Sequence, residues 1–191
     1  MTGLDSKEFA RLMADLRSGS ERAAADLLKH YEPEIRRDIR LRLTNPKLRR
    51  VVDSMDISQS VFGNFFVRAV HGEFELDRPE QLLRLLRKMA TNKVIDRHRK
   101  ETSRRLQDMI DDPVEDRNIA AQTATASSIV AGHELVNQFE SKLTNDEQQI
   151  ATLRRNGISW NEIAEKLGQS SDALRKRLTR ACDRVLTEMG F

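Results

Sequence analysis

Apolar positions along this chain recur at the spacing of one helix face almost throughout. Phe9, Leu12, Met13 and Leu16 fall at i, i+3, i+4 and i+7, and Gly19 ends the run. Ser20 is placed to cap a second helix carrying Ala24, Leu27, Leu28 and Tyr31. Pro33 either kinks that helix or opens the next turn, and Ile35, Ile39 and Leu43 continue the stripe among arginines. Asn45-Pro46 is a turn signal. Residues 54–71 predict another helix, with Ile57, Val61, Phe62, Phe65, Phe66 and Ala69 in a wide apolar stripe and Gly72 as its stop. A short loop, 73–78, leads to Pro79, a favoured first helical residue. A long helix over 79–105 follows, lined in its first half by Leu82, Leu85, Leu86 and Met89.

The pattern then breaks. From Gln107 to Asp116 there are five acids (Asp108, Asp111, Asp112, Glu115 and Asp116) and no base. The small polar run AAQTATASS comes next, with nothing large to bury. A linker is expected over 106–130, and Ile129 to Phe139 predicts a helix opening a second domain. Thr144 to Glu147 and Ser159 to Glu162 both have capping-box spacing, so a helix is expected to start at each. Gly157 and Gly168 are placed to end those two helices, and Ser170 to cap the last one. No alternation of period two marks a strand, and no internal repeat is visible. The expected fold is all-α: two small helical domains joined by a flexible acidic linker, the second a helix-turn-helix domain.

The last helix divides by geometry. Leu174, Leu178, Ala181, Cys182 and Val185 share one side, while Asp172, Arg175, Lys176, Thr179, Arg180 and Asp183 share the other. A charged helix face is ordinarily a solvated face. Here it follows a glycine turn and a preceding helix with matched apolar positions, the arrangement that sets a recognition helix in a major groove. Arginine and lysine reach guanine edges or phosphates from such a helix. A second basic element lies in the first half: between Arg84 and Arg105 there are nine bases against two acids, Asp96 and Glu101. Such an excess suits salt-sensitive phosphate contact; the plain alternative is a solvated helix.

Composition adds exclusions. The chain has 191 residues, a net charge of +3 and a single cysteine, so no intrachain disulfide forms. Cys182 is read as a small core residue. No stretch approaches the ~18 apolar residues of a membrane span, and the first residues lack a signal-peptide core. The four histidines are scattered, and no metal-ligand spacing or Gly-rich phosphate loop occurs. The expectation is a cytoplasmic protein with no cofactor, no metal, no membrane partner and no catalytic residues.

Three stretches together resemble the extracytoplasmic-function (ECF) sigma factors of bacterial RNA polymerase. Asp53 to Phe62 looks like the family's acidic-x-x-Asp-x-x-Gln-x-x-Phe signature. Leu85 to Arg99, ending Ala90-Thr91-Asn92-Lys93-Val94-Ile95-Asp96-Arg97-His98-Arg99, looks like its basic helix. Ser159 to Gly168 with Leu174 to Ala181 is similar to its promoter-reading helix-turn-helix. Departures are Leu85 where the family usually has Trp, Ser60 where it has Glu, and Asp172-Ala173 in place of a Gly-Thr pair.

The resemblance implies a factor that binds core polymerase and directs initiation by recognising −10 and −35 elements. Residues 6–105 would form the family's region 2 and 131–190 its region 4. Asp53, Asp56, Gln59, Phe62 and Phe65 would dock on the clamp coiled coil of the largest polymerase subunit, with one of the two phenylalanines in the core. Lys88, Asn92, Lys93, Asp96, Arg97, Arg99 and Lys100 would hold the −10 element, and the 73–78 loop would help capture a flipped base. Ser171, Asp172, Arg175, Lys176, Thr179 and Arg180 would read the −35 element, with region 4 near the flap of the second subunit. The linker would thread the polymerase's RNA channel or serve only as a tether, and an anti-sigma factor is a possible partner. Two rival readings are a regulator with a sensory amino-terminal domain and a helical protein-binding adaptor.

Overall fold

The computed structural model describes residues 4–43, 53–108 and 131–191, with side chains described over 4–43, 53–103 and 134–191. Every regular element among them is a helix, as the apolar spacing predicts. The helices are α1 (Ser6–Arg17), α2 (Glu21–Arg42), α3 (Ser54–Val70), α4 (Pro79–Asp108), α5 (Ala131–Ser141), α6 (Asn145–Arg155), α7 (Trp160–Leu167) and α8 (Ser171–Glu188).

Local chemistry fixes most of the boundaries. Asp5 opens α1 with a capping box: its carboxylate accepts from the Glu8 amide at 2.7 Å, and Glu8 accepts from the Asp5 amide at 3.2 Å. Ser20 caps α2 as expected. That helix runs through Pro33 without ending. Proline removes one helical N–H and frees the carbonyl four residues earlier. Pro33 and Lys29 both lie on the exposed side of the helix, so the proline sits away from the core. Gly72 adopts φ +62 just after α3, and the 73–78 loop leads into α4 at Pro79.

Two apolar cores follow. The first is built by α1 to α4, with Phe9, Leu27, Ile35, Ile39, Phe65 and Leu82 fully enclosed. The second is built by α5 to α8 around Phe139, Ile150, Ile163, Leu174, Cys182 and Val185. Burial raises the pKa of the Cys182 thiol, as suits a small core residue. Helix α3 serves both cores: Phe62 and Phe65 point into the first, and Val67 is enclosed in the second.

Helix α4 continues through Asp108, past the end expected at 105, and α5 begins at Ala131. The rest of the expected linker and the Asn45-Pro46 turn lie outside the described residues.

Candidate nucleic-acid interface

The start of α7 and its turn into α8 are set by local side chains. The Ser159 hydroxyl accepts from the Glu162 amide at 3.3 Å, and the Glu162 carboxylate accepts from the Ser159 amide at 2.9 Å. The Ser159 hydroxyl and amide hold the Glu162 carboxyl below its ordinary pKa. Helix α7 stops at Gly168, whose φ of +64 suits a residue without Cβ. Ser170 then accepts from the Ala173 amide at 3.2 Å and starts α8. The Thr144 box starts α6 in the same way.

This frame presents one face of α8 outward. Leu174, Leu178, Ala181, Cys182 and Val185 are buried, while Asp172, Arg175, Lys176 and Arg180 are exposed. Ser171 and Thr179 are half-buried. The Arg175 guanidinium lies 5.6 Å from the centre of the Trp160 ring, and that of Arg154 lies 4.6 Å from it. Trp160 thus steadies Arg175 at the start of α8 by a cation–π contact. Lys176 and Arg180 have no ion-pair partner among the described residues. Arg177 and Arg184 do: they pair with Asp146 at 3.3 Å and Glu147 at 2.8 Å.

The basic face of α4 is partly committed within the fold. Arg87 bonds Glu34 at 2.6 Å and Asp38 at 2.7 Å, bracing α4 on α2. Lys88, Asn92, Asp96, Arg99 and Lys100 are exposed, and Lys93 and Arg97 are half-buried. Positions 88, 92, 96 and 99–100 follow helical spacing and form one stripe. Lys93 has its pKa lowered to about 8, first by burial and then by Arg97 and Lys100, against Asp96. Leu85 is half-buried against the first core.

On α3, Asp53 is an exposed N-cap that accepts from the Met55 amide at 2.9 Å, and Asp56 and Gln59 are half-buried. The docking face expected from the sequence needs a correction, because both Phe62 (2 % exposed) and Phe65 (0 %) belong to the core. At about 100° per residue, steps of three fall short of a full turn by about 60° each. Three such steps from Asp56 place Phe65 on the opposite side of the helix. There it stacks on Phe74, ring centres 5.7 Å apart and nearly parallel.

Sequence reasoning missed a polar network around the end of α3. Arg68 is buried and bonds Asn64 at 2.8 Å, Glu73 at 2.8 and 2.9 Å, and Asp183 of α8. His71, fully buried, has Nδ1 2.7 Å from the Val67 carbonyl and Nε2 3.1 Å from Glu140, which Arg155 also meets at 3.2 Å. His71 and then Arg155 hold the Glu140 carboxyl below its ordinary pKa, against the effect of burial. The available signal was Val67 and Val70, apolar residues lying off the first stripe.

An all-helical protein with two separate basic surfaces, one of them on a helix set by a glycine turn, has the form of a nucleic-acid-binding factor. The ECF sigma factor family model matches residues 6–189, and the chain belongs to that family. No curated protein and no solved structure matches it. The family consists of non-catalytic initiation factors that serve RNA polymerase in promoter-specific transcription. Its partners are core polymerase and promoter DNA, often with an anti-sigma factor. Among the described residues no helix is long and apolar enough to cross a membrane.

Proposed function

We propose that this chain selects promoters through two separate readings of one duplex. Residues 131–190 read the −35 element with the outward side of α8, through Arg175, Lys176 and Arg180 together with Ser171, Asp172 and Thr179. Residues 6–105 hold the −10 element along α4, through Lys88, Asn92, Lys93, Asp96, Arg97, Arg99 and Lys100. The loop at 73–78 assists capture of an unpaired base, which stacking and hydrogen bonds must recover from the duplex. Asp53, Asp56 and Gln59 meet the clamp coiled coil of the polymerase's largest subunit, and residues 131–190 lie at the flap of the second subunit. The work takes place in the cytoplasm.

The observation that carries this reading is the outward face of α8. Three cations stand exposed on a helix whose opposite side is wholly core and whose start is fixed by Gly168 and Ser170. Direct readout needs a rigid helix with long donors aimed away from its support. The test is reconstitution: core polymerase with the purified chain should give discrete run-off transcripts, with protection near −35 and −10. Transcripts independent of the added chain, or protection without sequence preference, would refute the assignment.

A further inference from the structure

Helices α3 and α4 form a hairpin through residues 71–78, and α8 packs against α3. Where the three meet lies a cleft of about 360 Å³. Its floor is one side of α3, with Ser60, Asn64 and Arg68. These positions are about one helical turn apart and share a face. Leu85, Met89, Asn92 and Lys93 of α4 form one wall, and Asp183, Leu186 and Phe191 form the other.

The two ends of the cleft differ in charge balance. Near the loop, Arg68 is fully engaged by Asn64, Glu73 and Asp183. Lys93 lies well away from the loop, and nothing in the fold does the same for it. Its side chain is half-buried and makes no hydrogen bond or salt bridge among the described residues. Arg97 and Lys100 add to the positive potential there, and Asp96 opposes it from an exposed position. A cation drawn partly out of water without a partner is unfavourable, and an anion beside it offsets that cost.

Ser60 repeats the pattern in neutral form. It is 8 % exposed, and its Oγ is enclosed with no hydrogen-bond partner among the described residues. A buried hydroxyl ordinarily has one. Between the polar groups the lining is apolar, with Val61, Leu85, Met89, Leu186 and the Phe191 ring. That ring occupies the place where a Cβ of residue 63 would stand, room that only glycine leaves. An aromatic face beside aliphatic side chains suits a ligand that carries a ring.

The volume falls within the range of small-molecule sites, about 300–1,000 Å³, and equals the space of roughly a dozen waters. We propose that this cleft binds a small aromatic carboxylate, its ring laid against Phe191, Leu85 and Met89 and its carboxylate accepting from Lys93, Asn92 and Ser60. Inorganic phosphate lacks the apolar body that the lining calls for, and a neutral arene lacks the charge. The site needs neither DNA nor polymerase. It is therefore separate from the promoter reading, although Asn92 and Lys93 belong to both.

The experiment is calorimetric titration of the free full-length chain with naphthoate, near neutral pH and at low salt to limit screening. Naphthylmethanol, the neutral analogue, and thymidine monophosphate are titrated beside it. Naphthoate should bind at one site per chain, and naphthylmethanol about tenfold more weakly, the size of one charge-assisted hydrogen bond. Lys93→Gln should bring naphthoate down to the affinity of naphthylmethanol. Leu85→Trp should abolish binding of both by filling the cleft. Circular dichroism checks the fold of each variant, and Lys93→Gln, at a half-exposed position, keeps the test decisive if Leu85→Trp does not fold. No saturable binding of naphthoate at millimolar concentration overturns the site, as does binding unchanged by the variants that fold. Equal affinity for naphthoate and naphthylmethanol, or tighter binding of thymidine monophosphate, overturns the ligand class. Promoter-specific transcription by the holoenzyme is measured without any of these ligands, so the two readings fail separately.

Discussion

Arg68 of α3 and Asp183 of α8, 115 residues apart in sequence, form a salt bridge whose two ends sit in different surroundings. The Arg68 side chain is 11 % exposed and the Asp183 side chain 64 %. Arg68 also holds Glu73, itself only 13 % exposed. The carboxylate of Asp183 therefore stays hydrated, while Arg68 and Glu73 form the enclosed pair.

From that asymmetry the two deletions should differ in cost. Asp183→Ala should change stability by no more than about 1 kcal/mol, the range of an exposed ion pair. Arg68→Ala strands Glu73 and should cost about 3 kcal/mol, as breaking a buried pair does. Urea denaturation followed by circular dichroism measures both. Equal losses would mean that Glu73 finds another partner or water when Arg68 is removed.

The aromatic residues of α3 give a second, separable prediction. Phe65→Ala should cost about 3–5 kcal/mol, because a fully buried ring leaves a cavity. Gln59→Ala, at a half-buried position, should leave the denaturation midpoint nearly unchanged yet weaken association with core polymerase. Pull-down titrations against core polymerase, run beside the denaturation curves, distinguish the two. Unaltered polymerase affinity in both Gln59→Ala and Asp56→Ala would remove the docking assignment on α3.

What the sequence made legible was what depends on near neighbours. The Thr144 and Ser159 capping boxes, the Gly168 turn and the two faces of α8 all arise from residues within a few positions of one another, and each is found as expected. Phe62 and Phe65 went astray because a three-residue signature was read as one face, whereas steps of three rotate around the helix. Arg68, His71 and Val67 were missed for another reason. Their partners Asp183, Glu140 and the second core are remote in sequence, and local spacing marks only that Val67 and Val70 lie off the first stripe, not what they or their polar neighbours meet. The docking of the two halves was likewise invisible, because a helix apolar on several sides looks in sequence like one with a single wide stripe.

Promoter reading by α8 should depend on two arginines held in different ways. Arg175 is steadied by the Trp160 ring, while Arg180 is exposed without an ion-pair partner among the described residues. Replacing either with Ala should cost roughly 1–3 kcal/mol of −35 affinity if each makes a good base contact. Trp160 lies inside the fold, so Arg175→Lys keeps the charge but loses the planar stacking group and should recover only part of the loss. Binding to core polymerase should be unaffected throughout. Promoter selection untouched by both alanine variants would show that this face does not read DNA.

Lys93 should give the α4 surface a dependence on pH. Its pKa of about 8 in the folded chain lies below the ordinary 10.5, with burial as the largest cause. Between those two values the unfolded chain binds more protons than the folded one, so Lys93 makes stability rise with pH there. For DNA the sign is opposite. Phosphate favours the charged ammonium, so the complex takes up a proton wherever free Lys93 is neutral. Affinity contributed by this residue is therefore full below about pH 8 and falls as pH rises through it, by at most about tenfold per pH unit for one proton. Lys93→Arg stays charged over the whole range and should flatten the profile without lowering affinity near neutrality. Duplex titrations at fixed salt from about pH 7 to about pH 9 make the comparison, since cation binding to phosphate is itself salt-dependent. Identical profiles for wild type and Lys93→Arg would place Lys93 outside the phosphate contacts of α4.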